Sequence, residues 1–143
     1  MDVITSADMK NIFYIIIKYF TGKQHVLAVY LFGSAAKNLM QKNSDIDIAV
    51  LLDEKIKNKI QRFDLILTAG MELEKETGRS FDVVDITKVP LVLQHQILKT
   101  GQLLLENDRP ARINFEVGSR RKYFDLLPLY KARDKNILQE FKG

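Results

Sequence analysis

Apolar positions along the 143-residue chain fall into two alternating patterns. Some segments repeat apolar residues every three or four positions, as amphipathic helices do, and others are short runs rich in β-branched and aromatic residues, as buried strands are. The first pattern predicts helices from the Thr5-Ser6 start to Gly22, over residues 55–75, over residues 89–99 and from Arg109 onward. The second predicts strands at Val26–Phe32, Ile46–Leu52 and residues 81–86, with a short edge strand at 103–105.

Strands that alternate with helices indicate an α/β fold, a small mixed sheet flanked by helices. Residues 1–106 form the predicted domain, and residues 107–143 a basic helical C-terminal extension that is too short for a core of its own. The apolar residues of the long helix that we expect to face the core are Ile56, Ile60, Phe63, Leu67, Met71 and Leu73. We expect Thr87 to cap the next helix, Pro90 to lie in its first turn, and Pro128 to kink or interrupt the last helix.

Composition excludes several kinds of site. The chain has no cysteine, which rules out disulfide scaffolds, thiolate zinc sites and cysteine nucleophiles. Only two histidines are present, His25 and His95, so a cage of several histidines is excluded as well. No run of about 18 apolar residues indicates a membrane span, and the acidic start of the chain lacks the basic region of a signal peptide. We therefore expect a soluble, cytoplasmic protein.

The net charge of +4 resides in the C-terminal extension. Residues 1–106 carry 13 Lys/Arg and 13 Asp/Glu, whereas residues 107–143 carry 9 Lys/Arg and 5 Asp/Glu. A basic surplus on one terminal helix fits an acidic protein partner, and we favour that interpretation. Residues 120–124 interleave basic and aromatic side chains, which leaves direct RNA binding as the alternative.

Two short motifs carry the candidate chemistry. A predicted strand ends at Gly33-Ser34, and ten residues later Asp45 and Asp47 flank one apolar residue at the start of the next strand. Positions i and i+2 of a strand share a face, so the two carboxylates project together. Adjacent carboxylates repel each other unless a cation lies between them, and oxygen ligands suit Mg²⁺. The Gly-Ser turn offers backbone N–H groups and a hydroxyl to phosphate oxygens, so the pair of motifs indicates phosphoryl or nucleotidyl transfer.

A two-metal mechanism usually needs a third carboxylate, and the predicted third strand offers Asp82 and Asp85. Their spacing places them on opposite faces, so one of the two is expected to join the site, and spacing alone leaves the choice open. Ser44 and Lys37 are further candidates for nucleotide binding. The alternatives for them are a turn residue and a solvated surface lysine.

These residues resemble a known family. Gly33-Ser34, ten residues, then Asp45-x-Asp47 is similar to the signature of the DNA polymerase β-like nucleotidyltransferase superfamily, and residues 30–34 and 43–50 resemble its minimal nucleotidyltransferase (MNT) branch. In that branch the third carboxylate matches Asp82. The resemblance continues through residues 93–101 and 112–116, and it is closest to the antitoxins of HEPN/MNT toxin–antitoxin pairs.

The resemblance implies a Mg²⁺-dependent enzyme that transfers AMP from ATP to a tyrosine of its cognate HEPN ribonuclease toxin, bound in a hetero-oligomer. It implies a two-metal site and the following roles: Asp45, Asp47 and Asp82 as catalytic metal ligands, and Gly33, Ser34, Lys37 and Ser44 as nucleotide-binding residues. Many members follow Gly-Ser with any residue, Ala, Arg and Gly, whereas this chain has Ala35-Ala36-Lys37-Asn38. Lysine keeps the positive charge of arginine but lacks its planar fork.

Two other functions remain open at the level of sequence. One is a transferase that modifies a hydroxyl of a small molecule, such as an aminoglycoside-type antibiotic, although the C-terminal extension leaves little room for an acceptor-binding domain. The other is an antitoxin that neutralises its partner by contact alone. The three carboxylates argue against a complete loss of chemistry.

Overall fold

The structure, a computed structural model, describes residues 6–36 and 44–142. Its elements follow the chain as α1 (Ser6–Phe20), β1 (Val26–Phe32), β2 (Ile46–Leu52), α2 (Lys59–Thr77), β3 (Phe81–Asp85), α3 (Leu91–Thr100), β4 (Gln102–Glu106) and α4 (Arg109–Lys142). The predicted order of helices and strands is therefore confirmed, and β1 and β2 have the predicted bounds. The sequence also predicts that the Gly33-Ser34 turn leads into a short helix, and residues 37–43, where that helix is expected, lie outside the described residues.

The four strands form one mixed sheet in the order β3-β2-β1-β4. Strand β1 pairs antiparallel with β2 and with β4, while β2 and β3 run parallel. Parallel pairing requires a crossover, which α2 provides. The predicted α/β class with a small mixed sheet flanked by helices is confirmed.

Two apolar layers cover the sheet, one on each face. On one face α1 and α2 pack against alternate residues of β1 and β2, and fully buried Ile16, Leu31 and Ile48 lie at the centre of this layer. On the other face α3 and α4 pack through Ile97 and Phe115 against the intervening residues. Period-two alternation thus assigns each strand residue to one of the two layers.

Helix α2 departs from the sequence-based prediction in its start and in its buried face. It begins at Lys59 rather than at residue 55, because the Asn58 side chain accepts hydrogen bonds from the backbone N–H groups of Ile60 and Gln61, at 2.9 and 3.1 Å. Of the six apolar residues expected in the core, Ile56 and Leu73 are buried.

The other four residues expected in the core, Ile60, Phe63, Leu67 and Met71, are exposed to solvent. The prediction was wrong because α2 turns a different side to the sheet, the side that carries Arg62, Ala69 and Leu73.

The predicted start and cap of α3 were also wrong, and of the two effects predicted for Pro128 the interruption does not occur while the kink stays a prediction. Helix α3 begins at Leu91 with Pro90 at the N-cap position, and the Thr87 side chain bonds to Asp85 instead of capping that helix. Pro128 lies inside α4, which continues through it to Lys142. Among the described residues, no helix is both long and apolar enough to cross a membrane.

Candidate active site

The turn after β1 brings the backbone of Gly33 against the carboxylate of Asp47. Gly33 has φ 71°, a left-handed conformation that favours glycine. The preceding residue, Phe32, pairs with Asp47 across the β1–β2 ladder. A Cβ atom placed on Gly33 would overlap Oδ2 of Asp47. Both the backbone angle and the close approach therefore require glycine at this position.

Asp45 and Asp47 share a face of the sheet, as predicted from their spacing. Ile46 and Ile48, which alternate with them, are fully buried in the layer beneath α1 and α2. The carboxylates therefore project from the opposite face, the one covered by α3 and α4. Asp45 is exposed and Asp47 is half-buried at the start of β2.

The structure distinguishes the two candidates for the third carboxylate. In the parallel β2–β3 ladder Asp82 is the direct partner of Asp47, and it lies on the same face with its side chain exposed. Asp85 lies on the opposite face, where its Oδ2 accepts a hydrogen bond from Nε of Arg62 at 2.8 Å. Asp82 thus joins Asp45 and Asp47, whereas Asp85 belongs to a buried ion pair.

The ionisation of Asp47 is perturbed by its burial and by the two neighbouring carboxylates. Burial raises the pKa of Asp47 above its ordinary value, and the negative charges of Asp82 and Asp45 raise it further. A half-buried carboxylate between two like charges pays a desolvation and repulsion cost when it ionises. A cation bound among them would remove that cost.

The donors fit a cation that arrives with a nucleotide better than a metal centre built from protein alone. Within residues 6–36 and 44–142, no three His, Cys, Asp or Glu side chains are arranged to hold a metal ion together. Mg²⁺ commonly binds to one or two carboxylates, water and substrate phosphates. Asp45, Asp47 and Asp82 offer only the hard oxygen ligands that this ion prefers, and their mutual repulsion favours its binding.

The remaining predicted nucleotide-binding residues lie at the same end of the sheet or outside the described residues. Ser34 follows Gly33 in the turn and is half-buried. The backbone carbonyl of Ser44, next to Asp45, accepts a hydrogen bond from Nη2 of Arg79 at 3.2 Å. Lys37, and Asn38 with its expected positive φ, fall in the segment that the structure does not describe.

Two arginines with structural roles were missed at the level of sequence, Arg79 beside the candidate site and Arg62 on the opposite face of the sheet. Arg79 holds the chain just before Asp45, and the neighbouring Ser80 carbonyl accepts a hydrogen bond from the Ile46 N–H at 2.9 Å. Arg62 engages Asp85 and so ties α2 to the end of β3. The sequence contained a signal for Arg62: helical spacing places this charged residue on the same side of α2 as the apolar residues Ala69 and Leu73. A charged residue on a buried side needs a partner of opposite charge.

Comparison with known proteins agrees with this geometry. The family model for polymerase beta nucleotidyltransferases matches residues 15–110, which include β1, β2 and β3. Protein adenylyltransferase MntA of Shewanella oneidensis is 36% identical over 76 residues, covering 53% of this chain and 51% of that protein. The match thus spans about half the length of this curated relative.

Two solved structures share the fold. A crystal structure of a toxin–antitoxin with AMP-PNP has a TM-score of 0.65 and 25% identity, with 94% of this chain and 98% of that chain covered. A structure of tri-AMPylated Shewanella oneidensis HEPN toxin in complex with MNT antitoxin has a TM-score of 0.65 and 24% identity, with coverages of 94% and 99%.

Proposed function

The chain belongs to the polymerase beta nucleotidyltransferase family, and from this premise we propose that it transfers AMP from ATP to a tyrosine of a HEPN toxin and so acts as an antitoxin. The observation that carries the proposal is the register of the β2–β3 ladder, which sets Asp82 beside Asp47 while Gly33 abuts the same Asp47 carboxylate. This arrangement combines a carboxylate cluster with a turn suited to phosphate, which is what transfer of a nucleotidyl group needs.

Each residue has a defined part in the proposed reaction. Asp45, Asp47 and Asp82 would hold Mg²⁺ together with water and oxygens of the triphosphate, whose charge the ion would neutralise. The Gly33 backbone and Ser34 hold the outer phosphates of ATP. The tyrosine oxygen forms a bond to the α-phosphorus, the bond from that phosphorus to the bridging oxygen of the β-phosphate breaks, and pyrophosphate leaves. Asp82, which is exposed as Asp45 is, accepts the proton of the tyrosine hydroxyl.

The nature of the acceptor is supported by relatives. MntA is named a protein adenylyltransferase, and a structural neighbour contains a tri-AMPylated HEPN toxin with an MNT antitoxin. Another neighbour contains AMP-PNP, a triphosphate analogue, which supports a nucleotide substrate here. We propose a HEPN toxin as the partner of this chain for the same reason.

The C-terminal helix offers a surface on which the toxin could dock. Phe124 and Leu129 of α4 are 57% and 66% exposed, and the Phe124 ring lies edge-on to His95 of α3, with 5.9 Å between ring centroids. Arg120, Arg121 and Lys131 are close to these apolar side chains in the sequence. Apolar anchors within a charged rim are typical of protein interfaces, so contact through α4 would also support neutralisation of the toxin without transfer.

A transfer assay tests the proposed activity. The purified chain is incubated with its cognate toxin, Mg²⁺ and ATP labelled at the α-phosphate, and label on the toxin is measured. We expect labelling by the wild type and none by Asp45→Asn with Asp47→Asn. Asp64→Asn, an exposed aspartate on α2 across the sheet, serves as the matched control and should label fully. Undiminished transfer by the double variant would refute the site, and a folded wild type that labels nothing would refute the transferase.

Co-purification with the toxin distinguishes binding of the toxin from transfer of AMP to it. If the Asp45/Asp47 variant still co-purifies with the toxin but no longer labels it, binding is independent of transfer. If that variant also protects cells from the toxin, contact alone neutralises it.

A further inference from the structure

Helix α2 presents a row of large apolar side chains to solvent. Ile60, Phe63, Leu67 and Met71, here called the α2 stripe, have exposed fractions of 79, 66, 49 and 62%. Their spacing places them along one side of the helix, over about 16 Å. A contiguous apolar patch of this kind on a folded protein usually marks an interaction surface.

The stripe borders a groove between α2 and the outer edge of β3. Two hollows of about 540 and 310 Å³ follow this groove and share Phe63, Ile66 and Val83 along their length. Strand β3 is at one edge of the sheet, with no further strand beside it among the described residues. The groove is therefore open along the whole of α2.

Gly70 lies in this groove, and packing within the chain does not require a glycine there. A Cβ atom there would meet Val83 Cγ2 at 3.5 Å, an ordinary van der Waals distance, and Gly70 has no positive φ. Glycine in the middle of a helix costs about 1 kcal/mol relative to alanine. Its presence beside the stripe fits a close approach by a group from outside the chain.

The two ends of the groove carry opposite charges. Lys59 and Lys88 line the hollow at the N-terminal end of α2, where the first turn has no acidic residue. Glu74 lines the hollow at the C-terminal end. The helix dipole has the same polarity, positive at the N-terminus. A second α2 laid antiparallel in the groove would therefore meet complementary charge at both ends.

We propose that the α2 stripe is the interface of a symmetric homodimer in which two copies of α2 pack antiparallel. A two-fold axis near residue 65 sets Phe63 of each copy against Leu67 of the other and Ile60 over the space left by Gly70. It also brings Glu74 within reach of the second copy's Lys59. Within one chain Lys59 and Glu74 are about 22 Å apart along the helix, so they can pair only between copies.

The homodimer does not depend on the proposed function. Asp47 and Asp82 lie on the face of the sheet opposite α2, and Asp82 also lines the hollow at the C-terminal end of the groove, so a second copy would lie beside the third carboxylate. Helix α4 packs on the other face of the sheet, away from the groove.

Sedimentation of the full chain alone measures the proposed association. We expect a concentration-dependent dimer whose dissociation constant rises at least about tenfold in Leu67→Glu, because a charge then enters an apolar interface. Gln61→Glu, an added carboxylate at an exposed position elsewhere on the same helix, should leave the dimer unchanged. A wild type that remains monomeric, or a dimer insensitive to Leu67→Glu, overturns the proposal.

Charge reversal tests the antiparallel register. Glu74→Lys alone should weaken the dimer, and Lys59→Glu in the same chain should restore part of the affinity, because the pair is re-formed with reversed charges. Gly70→Ala should weaken the dimer without lowering the melting temperature of the monomer. Failure of the second reversal to restore any affinity overturns the register.

The toxin is the competing occupant of the groove. If the chain is monomeric alone and Leu67→Glu abolishes toxin capture, the stripe belongs to the toxin and the homodimer is refuted. If the dimer forms and the transfer assay fails, the proposed function is wrong while the interface stands.

Discussion

Gly33 is the single residue on which the geometry of the candidate site depends most directly. Its φ of 71° and its contact with the Asp47 carboxylate are both incompatible with a side chain. The sequence predicted this position and the shared face of Asp45 and Asp47, because turn chemistry and strand alternation are local rules. Strand spacing left the choice between Asp82 and Asp85 open, and the family resemblance favoured Asp82. The Arg62 partner of Asp85 was not predicted, since it depends on a contact with a distant element.

Gly33→Ala should reduce both stability and AMP transfer. A left-handed alanine costs about 1–2 kcal/mol, and its Cβ would displace the Asp47 carboxylate as well. Urea unfolding and the transfer assay measure the two effects.

Gly22→Ala is the matched control, because Gly22 has φ 77° and no atom within 4 Å of a Cβ there. It should lose the same backbone contribution to the free energy of unfolding and keep its transfer rate. Equal transfer by the two variants would contradict the role of Gly33.

The carboxylate cluster makes the metal-free protein less stable as the pH rises. Because the pKa of Asp47 is raised on folding, its contribution to stability is fully present below its unfolded pKa of about 4 and is lost as the pH rises through the folded value. In EDTA, the free energy of unfolding of the wild type should therefore fall, relative to that of Asp47→Asn, as the pH rises from about 4 through the folded pKa of Asp47. Urea unfolding at a series of pH values measures the difference.

Mg²⁺ should offset the loss in the wild type at neutral pH and have a smaller effect on Asp47→Asn. An identical response of the two proteins to Mg²⁺ would show that Asp47 does not contribute to cation binding.

At the scale of elements, α2 shows that a periodic apolar pattern predicts a helix but not which side of it is buried. The pattern correctly identified a long amphipathic helix, but apolar residues occur on two sides of it, and periodicity alone cannot tell which side meets the sheet. The contacts of Arg62 determine which side of α2 faces the sheet. Its guanidinium bonds to Asp85, to the carbonyls of Asp53 and Ile56, and to the Thr87 hydroxyl, which fixes the rotation of α2.

Arg62→Met should destabilise the fold strongly. It removes the partner of Asp85, a buried carboxylate that is 9% exposed, and loss of one member of a buried pair costs about 3–5 kcal/mol. Chemical unfolding measures the change, and Lys75→Met, an exposed cation on the same helix, is the control. Adding Asp85→Leu to Arg62→Met should recover part of the loss. A loss below about 1 kcal/mol in the single variant, the median range for exposed pairs, would contradict the structural role of the pair.

At the scale of the whole molecule, the sheet separates two surfaces with different tasks. The face beneath α3 and α4 carries the candidate site, and the far side of α2 carries the stripe. The sequence predicted the family, the fold and the basic character of α4 because these follow from motifs and charge. It could not predict the stripe, because exposure depends on how complete helices pack and not on the residues themselves.

The exposed part of α4 should contribute to toxin binding rather than to folding. Phe124→Ser with Leu129→Ser should lower the melting temperature only slightly, because both side chains are mostly exposed and Phe124 makes an edge-on ring contact with His95. The same variant should weaken toxin binding at least about tenfold, as loss of apolar anchors at an interface does. Titration calorimetry with the toxin measures the affinity, and Asp125→Ser is the neighbouring control. Full affinity in the double variant would place the toxin elsewhere on the molecule.

The β2–β3 ladder has a consequence for how this chain can change over generations. Because side chains alternate along β3, deleting or inserting one residue in the connection from Gly78 to Ser80 would exchange the faces of Asp82 and its neighbours. Such a change would leave the sheet in place and turn the third carboxylate into the apolar layer. We therefore expect viable insertions at this connection to preserve parity.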